Sequence, residues 1–183
     1  MNTIKYQDLP EDRKEQIRNK YKEEGLYADW YEYVYEDAKE IGTQFGLDIE
    51  EILFSGFWSQ GDGACYKGLL RFKECDESGL PEEVREVYRT LHTVNSLLKI
   101  LDSDEYLYIG ISLGWRGTHE HNMLFEFYNE SNEAASEVVD AHDDAICGAC
   151  LDYTRWIYNS LEAEYEYLNT DELSAAHLGN PLY

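Results

Sequence analysis

Basic residues are scarce in this chain: 15 lysines and arginines stand against 38 acids in 183 residues, a formal charge of −23. A surface of that sign repels nucleic acid and anionic membranes and attracts basic protein surfaces. It also keeps a protein soluble. Direct nucleic-acid binding is therefore disfavoured. The three prolines and 13 glycines gather into no linker or low-complexity tract. Long apolar runs are missing too, since no segment approaches the roughly 18 residues that a membrane helix needs. The opening "MNTIKYQDLPEDRKEQ" lacks the apolar stretch of a signal peptide. Cys65, Cys75, Cys147 and Cys150 are too few for a disulfide framework in a chain able to build a core. The expectation is a cytoplasmic, reduced protein, a single domain over 1–183, with no cofactor and no membrane partner.

Aromatic residues, by contrast, are plentiful at 14%, and an apolar fraction of 43% excludes a disordered chain. A chain of this length buries about 70% of its unfolded surface. Tyrosine, present 16 times, suits half-buried positions and interfaces. The charge is uneven. Residues 1–48 and 49–119 each carry 12 acids and 7 bases, whereas residues 120–183 carry 14 and 1.

Two segments, "DLPEDRKEQIR" and "GLPEEVREVYR", place proline and then acids where a helix begins, costing no hydrogen bond and complementing the helix dipole. The second predicts a helix over 81–101, with Val84, Val87, Tyr88, Leu91, Val94, Leu98 and Leu101 on its apolar face. Between them "YADWYEYVYEDAKEIGTQFG" predicts a helix with Trp30, Val34, Ala38, Ile41 and Phe45 inward and Gly46 as its stop. Tyr27, Tyr31 and Tyr35 form a second ridge on it. Ile52–Trp58 and Cys65–Phe72 pair as a hairpin across "SQGDGA". "EYLYIGISLGW" alternates, with Ile109 and Ile111 on one face and Tyr106, Tyr108 and Ser112 on the other, and "NMLFEFYN" returns beside it. A helix from about Ser131 to Leu168 closes the chain. The fold class is α+β: a four-stranded antiparallel sheet of two hairpins, flanked by helices, with a long acidic C-terminal helix.

Three stretches carry a family likeness. "FSGFWSQGDGAC" (Phe54–Cys65), "WYEYVYEDAKEIG" (Trp30–Gly42) and "WIYNSLEAEYEYLNTDE" (Trp156–Glu172) resemble a family of small bacteriophage and prophage proteins. Its members often carry the name antitoxin of a toxin–antitoxin system. The likeness covers both ends and the first hairpin. It implies an accessory role against host defence in the bacterial cytoplasm, and it carries no catalytic residue onto this sequence.

Few patterns here spell out chemistry. The loop "SQGDGA" leads from strand to strand, so it is neither a phosphate cradle nor a nucleophile elbow, both of which lead into a helix. Gly61 and Gly63 are expected to supply positive φ and Asp62 to bond local amides. Turning a chain does not require tryptophan or glutamine, which makes Trp58, Ser59, Gln60 and Asp62, with Trp115 and Arg116, a candidate ligand or partner loop. His119 and His121 flank Glu120 and would share a face if extended. Asp140, His142 and Asp143 could add ligands, yet no third position is spaced to confirm a metal site. Cys147 and Cys150 lie inside a helix rather than at its start, which favours packing over redox chemistry.

Two functions compete. In the first, the protein is an acidic inhibitor that binds a host defence or nucleic-acid-processing protein through that partner's basic surface, in the manner of a nucleic-acid mimic. Carboxylates four apart on a helix recur about every 6 Å, comparable to the spacing of neighbouring phosphates. Asp140, Asp144, Asp152, Glu162 and Glu166 would face the partner, with Tyr31 and Tyr35 as aromatic anchors; a homo-oligomer fits the same surface. In the second, Trp58, Tyr66, Trp115 and Arg116 clamp a nucleotide signal, helped by Lys67 and Arg71. An enzyme has no readable motif here.

Overall fold

The run Leu-Asp-Ile-Glu-Glu-Ile-Leu-Phe alternates apolar and acidic residues twice and then stumbles on a second acid. In the computed structural model that run is one strand, β1 (Leu47–Phe54), with a bulge between Ile49 and Glu51. The extra residue restores the inward direction for Ile52, so Leu47, Ile49 and Ile52 are all buried. Lys67 on the neighbouring strand pairs with both bulge acids, Glu50 at 3.3 Å and Glu51 at 3.0 Å. Sequence alternation places the start at Ile52 because the bulge breaks the period of two. The strand also ends earlier than expected, at Phe54 rather than Trp58, because Gly56 turns the chain at φ 129°.

The structure describes residues 6–23, 29–100, 107–114, 117–129, 133–168 and 170. Backbone packing groups the chain into two compact units, one drawn from residues 1–33 and 160–183 and the other spanning Val34–Asn159.

The second unit holds the sheet. β1 is followed by β2 (Ala64–Leu70), β3 (Leu107–Leu113) and β4 (Met123–Asn129), which lie side by side in chain order, every pair antiparallel. Register sets Ile52 opposite Tyr66, Leu70 opposite Ile109 and Ile111 opposite Phe125. The helix between the hairpins, α3 (Glu82–Ile100), starts one residue after Pro81, with Glu82 and Glu83 in its first turn. Its expected stripe is buried from Val84 to Leu98, while Leu101 and Tyr106 lie outside the described residues.

Two more helices are each shared between the units. α2 (Glu32–Gln44) buries Val34 and Ala38 and stops before Gly46, whose φ of 94° breaks the helix as its sequence position implied. α4 (Glu133–Leu168) begins close to the expected Ser131, itself outside the described residues, and ends at the expected Leu168. Within the second unit α4 lies on the inner face of the sheet. The Tyr66 hydroxyl donates to the Cys150 carbonyl at 3.2 Å, and that of Tyr153 donates to the Ala38 carbonyl at 2.6 Å. The fold is thus α+β with a four-stranded antiparallel sheet.

In the first unit, α1 (Glu11–Glu23) follows Pro10, and its Arg18 reaches Glu11 at 2.7 Å and the Tyr6 hydroxyl at 3.3 Å. Trp30 meets Tyr165 edge-on at 5.6 Å. Among the described residues no helix is long and apolar enough to cross a membrane.

Candidate functional site

After Phe54 the chain makes a closed turn before re-entering the sheet at Ala64. Asp62 is its staple: one carboxylate oxygen, Oδ2, accepts from the Trp58 amide at 2.9 Å and the Ser59 amide at 2.6 Å. This is the amide-bonding role the sequence suggested for an aspartate between glycines. Positive φ is needed at Gly56 and Gly61 but not at Gly63. Gly63 is small for a different reason: a Cβ there would lie 3.2 Å from both Cα and Cδ2 of His119. The loop is thus fitted against the "THEHN" segment, a contact between residues far apart in sequence.

Aromatic rings tie the loop to α4. Phe57 packs on Phe54 at 4.7 Å and on Tyr158 of α4 at 5.5 Å, and the Tyr158 hydroxyl donates to the Gly56 carbonyl at 3.2 Å. Trp58 touches Phe57 edge-on yet stays 77% exposed. A large indole turned to solvent on a loop whose backbone is already stapled leaves little backbone entropy to lose on contact, which suits an interface anchor.

Between the loop, the "THEHN" segment and α4 lies a cleft of about 190 Å³. Its floor is buried Gly63, Ala64 and Thr154; Asp62, His119, Glu120 and Tyr158 form half-buried walls; exposed Arg155 and Asn159 stand at the rim. Arg155 donates from Nε and Nη2 to Glu120 Oε1, at 3.3 and 2.9 Å, and from Nη1 to Asp152 at 2.5 Å. The Glu120 carboxylate is the main reason the guanidinium holds its proton even more firmly than usual. The Glu120 side chain is 15% exposed and that of Arg155 53%, so the pair contributes on the order of 1 kcal/mol.

The "THEHN" segment is not extended. Glu120–Asn122 form a single 3₁₀ turn capped by His119, whose Nδ1 accepts from the His121 amide. That bond sets the tautomer of a neutral His119, with its proton on Nε2. The two imidazoles lie 4.5 Å apart, ring against ring. Among the described residues no group of three or more His, Cys, Asp or Glu is arranged to hold a metal ion.

The structure therefore separates the residues singled out from sequence. Trp58, Ser59, Gln60 and Asp62 stand on one loop, while Trp115 and Arg116 lie outside the described residues. Tyr35, Asp140, Asp144 and Asp152 belong to the second unit; Tyr31, Glu162 and Glu166 belong to the first. Tyr66 cannot stack on a ligand, because it is fully buried beneath α4. Lys67 is engaged by the β1 bulge. Sequence reasoning missed Tyr158 and Asn159, whose neighbours come from other segments. Arg155 did carry a signal: a single base in an acidic stretch is well placed to be held by acids around it.

A match to a family model covers residues 30–171. The chain belongs to the family described as domain of unknown function DUF8835. The DUF8835 region takes in the whole sheet and every residue around the cleft, and it leaves α1 outside. No curated protein and no solved structure matches the chain.

Proposed function

We propose that this DUF8835 protein is a phage-encoded acidic inhibitor that occupies the basic surface of a host defence or nucleic-acid-processing protein. The observation that supports this reading is the outer face of α4. Glu133, Glu137, Asp140 and Asp144 are all exposed and follow at helical spacing, with no base among them. They run along about 17 Å of helix, given a rise of 1.5 Å per residue. The next charged positions on α4 are Asp152 and Arg155, and Arg155 is already engaged by Asp152 and Glu120. The row thus keeps its negative field, which steers association with a basic surface. Trp58 supplies an apolar anchor in the same unit, and the phage likeness of its loop motif supports the setting.

The nucleotide-binding alternative draws less support. A cleft of about 190 Å³ is smaller than the roughly 300–1,000 Å³ of pockets that enclose drug-sized ligands.

The test begins with tagged protein on a bacterial lysate, eluted in rising salt and identified by mass spectrometry. Calorimetry with the purified partner follows. The reading expects a nucleic-acid-binding protein whose affinity falls with salt and falls at least about tenfold, or about 1.4 kcal/mol, when Glu133, Glu137, Asp140 and Asp144 are replaced by their amides. Affinity indifferent to both salt and the amide substitutions would end it.

A further inference from the structure

Two carboxylates lining the cleft each keep one oxygen that no donor among the described residues reaches. Asp62 commits Oδ2 to the Trp58 and Ser59 amides and leaves Oδ1 without a partner. Glu120 commits Oε1 to Arg155 and leaves Oε2 without one. Both oxygens are open to water, and a charged donor is the partner that a carboxylate oxygen binds most strongly.

The other features of the cleft narrow the choice of donor. An anion would meet two carboxylates, with Arg155 already engaged. A bound metal ion would need three or more acidic, histidine or cysteine ligands together, and none of the described residues form such a group. The volume, about 190 Å³, corresponds to about six water molecules at ~30 Å³ each, more than an ammonium group fills. Tyr158 adds an aromatic wall. A flat, weakly hydrated cation with several donors suits such walls: its edge bonds the carboxylates while its face lies on the ring.

We infer that the cleft receives an arginine side chain of the partner, an inference that rests on the protein-binding reading above. The guanidinium bonds Asp62 Oδ1 and Glu120 Oε2 against Tyr158, while the neighbouring chain packs on Trp58. This adds a specific contact to the diffuse attraction of the α4 row. The stapled loop and the Arg155 bonds hold both carboxylates in place before the arginine arrives, so little ordering remains to oppose binding.

The probe is N-acetyl-arginine N-methylamide, titrated into the ¹⁵N-labelled full chain, with the citrulline analogue as uncharged isostere. Millimolar binding is expected for one side chain, shifting the amides of His119, Glu120 and Asn159, with citrulline at least about tenfold weaker. Glu120→Gln should weaken the arginine shifts. Asn159→Lys, at an exposed rim position that does not challenge the fold, should weaken them further by adding a second cation beside Arg155 at the mouth. Absent shifts in the cleft, or equal shifts from citrulline, would overturn the inference. The two proposals part cleanly. A salt-sensitive partner complex indifferent to Asn159→Lys removes the arginine and keeps the acidic-face reading. Arginine shifts without any basic partner remove that reading and with it the arginine's assigned source.

Discussion

The hydroxyl of Tyr158 donates to the carbonyl of Gly56 at 3.2 Å, so one residue of α4 holds the turn that presents Trp58. The bond joins positions 102 residues apart and adds a second tie to the loop beside its Asp62 staple. Tyr158→Phe keeps the ring contacts with Phe54 and Phe57 and removes only the hydroxyl. The site is part-buried, so water replaces some of the loss, and destabilisation should be about 0.5–1 kcal/mol. The clearer readout is local: limited proteolysis within residues 57–61 should accelerate by more than global stability accounts for. Unchanged cleavage would mean that Asp62 alone holds the loop.

Periodicity made the helices and the sheet legible, because burying one face of α3 or β3 dictates its apolar spacing directly. Val84 to Leu98 and Ile109 with Ile111 could be read off without any knowledge of their neighbours. β1 was harder, since the bulge at Glu50 and Glu51 breaks the period and its rationale, Lys67, sits on another strand. The loop was half legible. An aspartate that staples amides three and four residues away is a local motif, whereas the smallness of Gly63 answers to His119 and leaves no local trace. The cleft was not legible at all, because its walls come from three segments that only tertiary packing brings together.

Asn95 lies on the buried face of α3, 1% exposed, and neither its amide nitrogen nor its oxygen has a hydrogen-bond partner. Burying such a group without compensation costs about 1–3 kcal/mol. Asn95→Leu, close in shape, should therefore raise stability by about that amount, read as a higher urea midpoint at unchanged m-value. A loss of stability would show that the site is too tight for the branched side chain or that an ordered water normally satisfies the amide.

Two glycine-to-alanine substitutions should have opposite signs. At Gly46 a Cβ would lie 1.8 Å from the Arg71 carbonyl oxygen, on a residue with φ 94°. Gly46→Ala should cost more than about 2 kcal/mol, since left-handed strain alone is about 1–2. Gly148 sits in the interior of α4 with nothing within 4 Å of its missing Cβ. Gly148→Ala should add up to about 1 kcal/mol of stability through helix propensity. Thermal denaturation of both variants checks the pair, and a destabilised Gly148→Ala would expose a close contact that the open space around it does not suggest.

Alkaline pH should unfold this protein earlier than its acidic composition suggests, because its buried thiols and phenols must stay protonated. Burial, and secondarily Glu51, pushes the Cys65 thiol up to about 11. Burial pushes Cys150 up to about 12, and burial followed by the Asp143 carboxylate, which accepts the Cys147 thiol proton at 3.2 Å, does the same for Cys147. Burial also raises Tyr66 and Tyr153. An unfolded thiol loses its proton near pH 8.5 and an unfolded phenol near 10, whereas the folded chain keeps both beyond those values. The thiols' contribution to stability is therefore full below about pH 8.5 and is lost as pH rises towards 11 and 12, with a limiting slope of about 1.4 kcal/mol per pH unit for each group. The tyrosines steepen the fall above about pH 10. Urea midpoints measured from pH 7 to 10.5 should be level at first and then decline, and Cys150→Ala should flatten the decline whatever it does to stability at pH 7. A level profile up to pH 10 would show that these thiols ionise as readily in the folded chain as in the unfolded one.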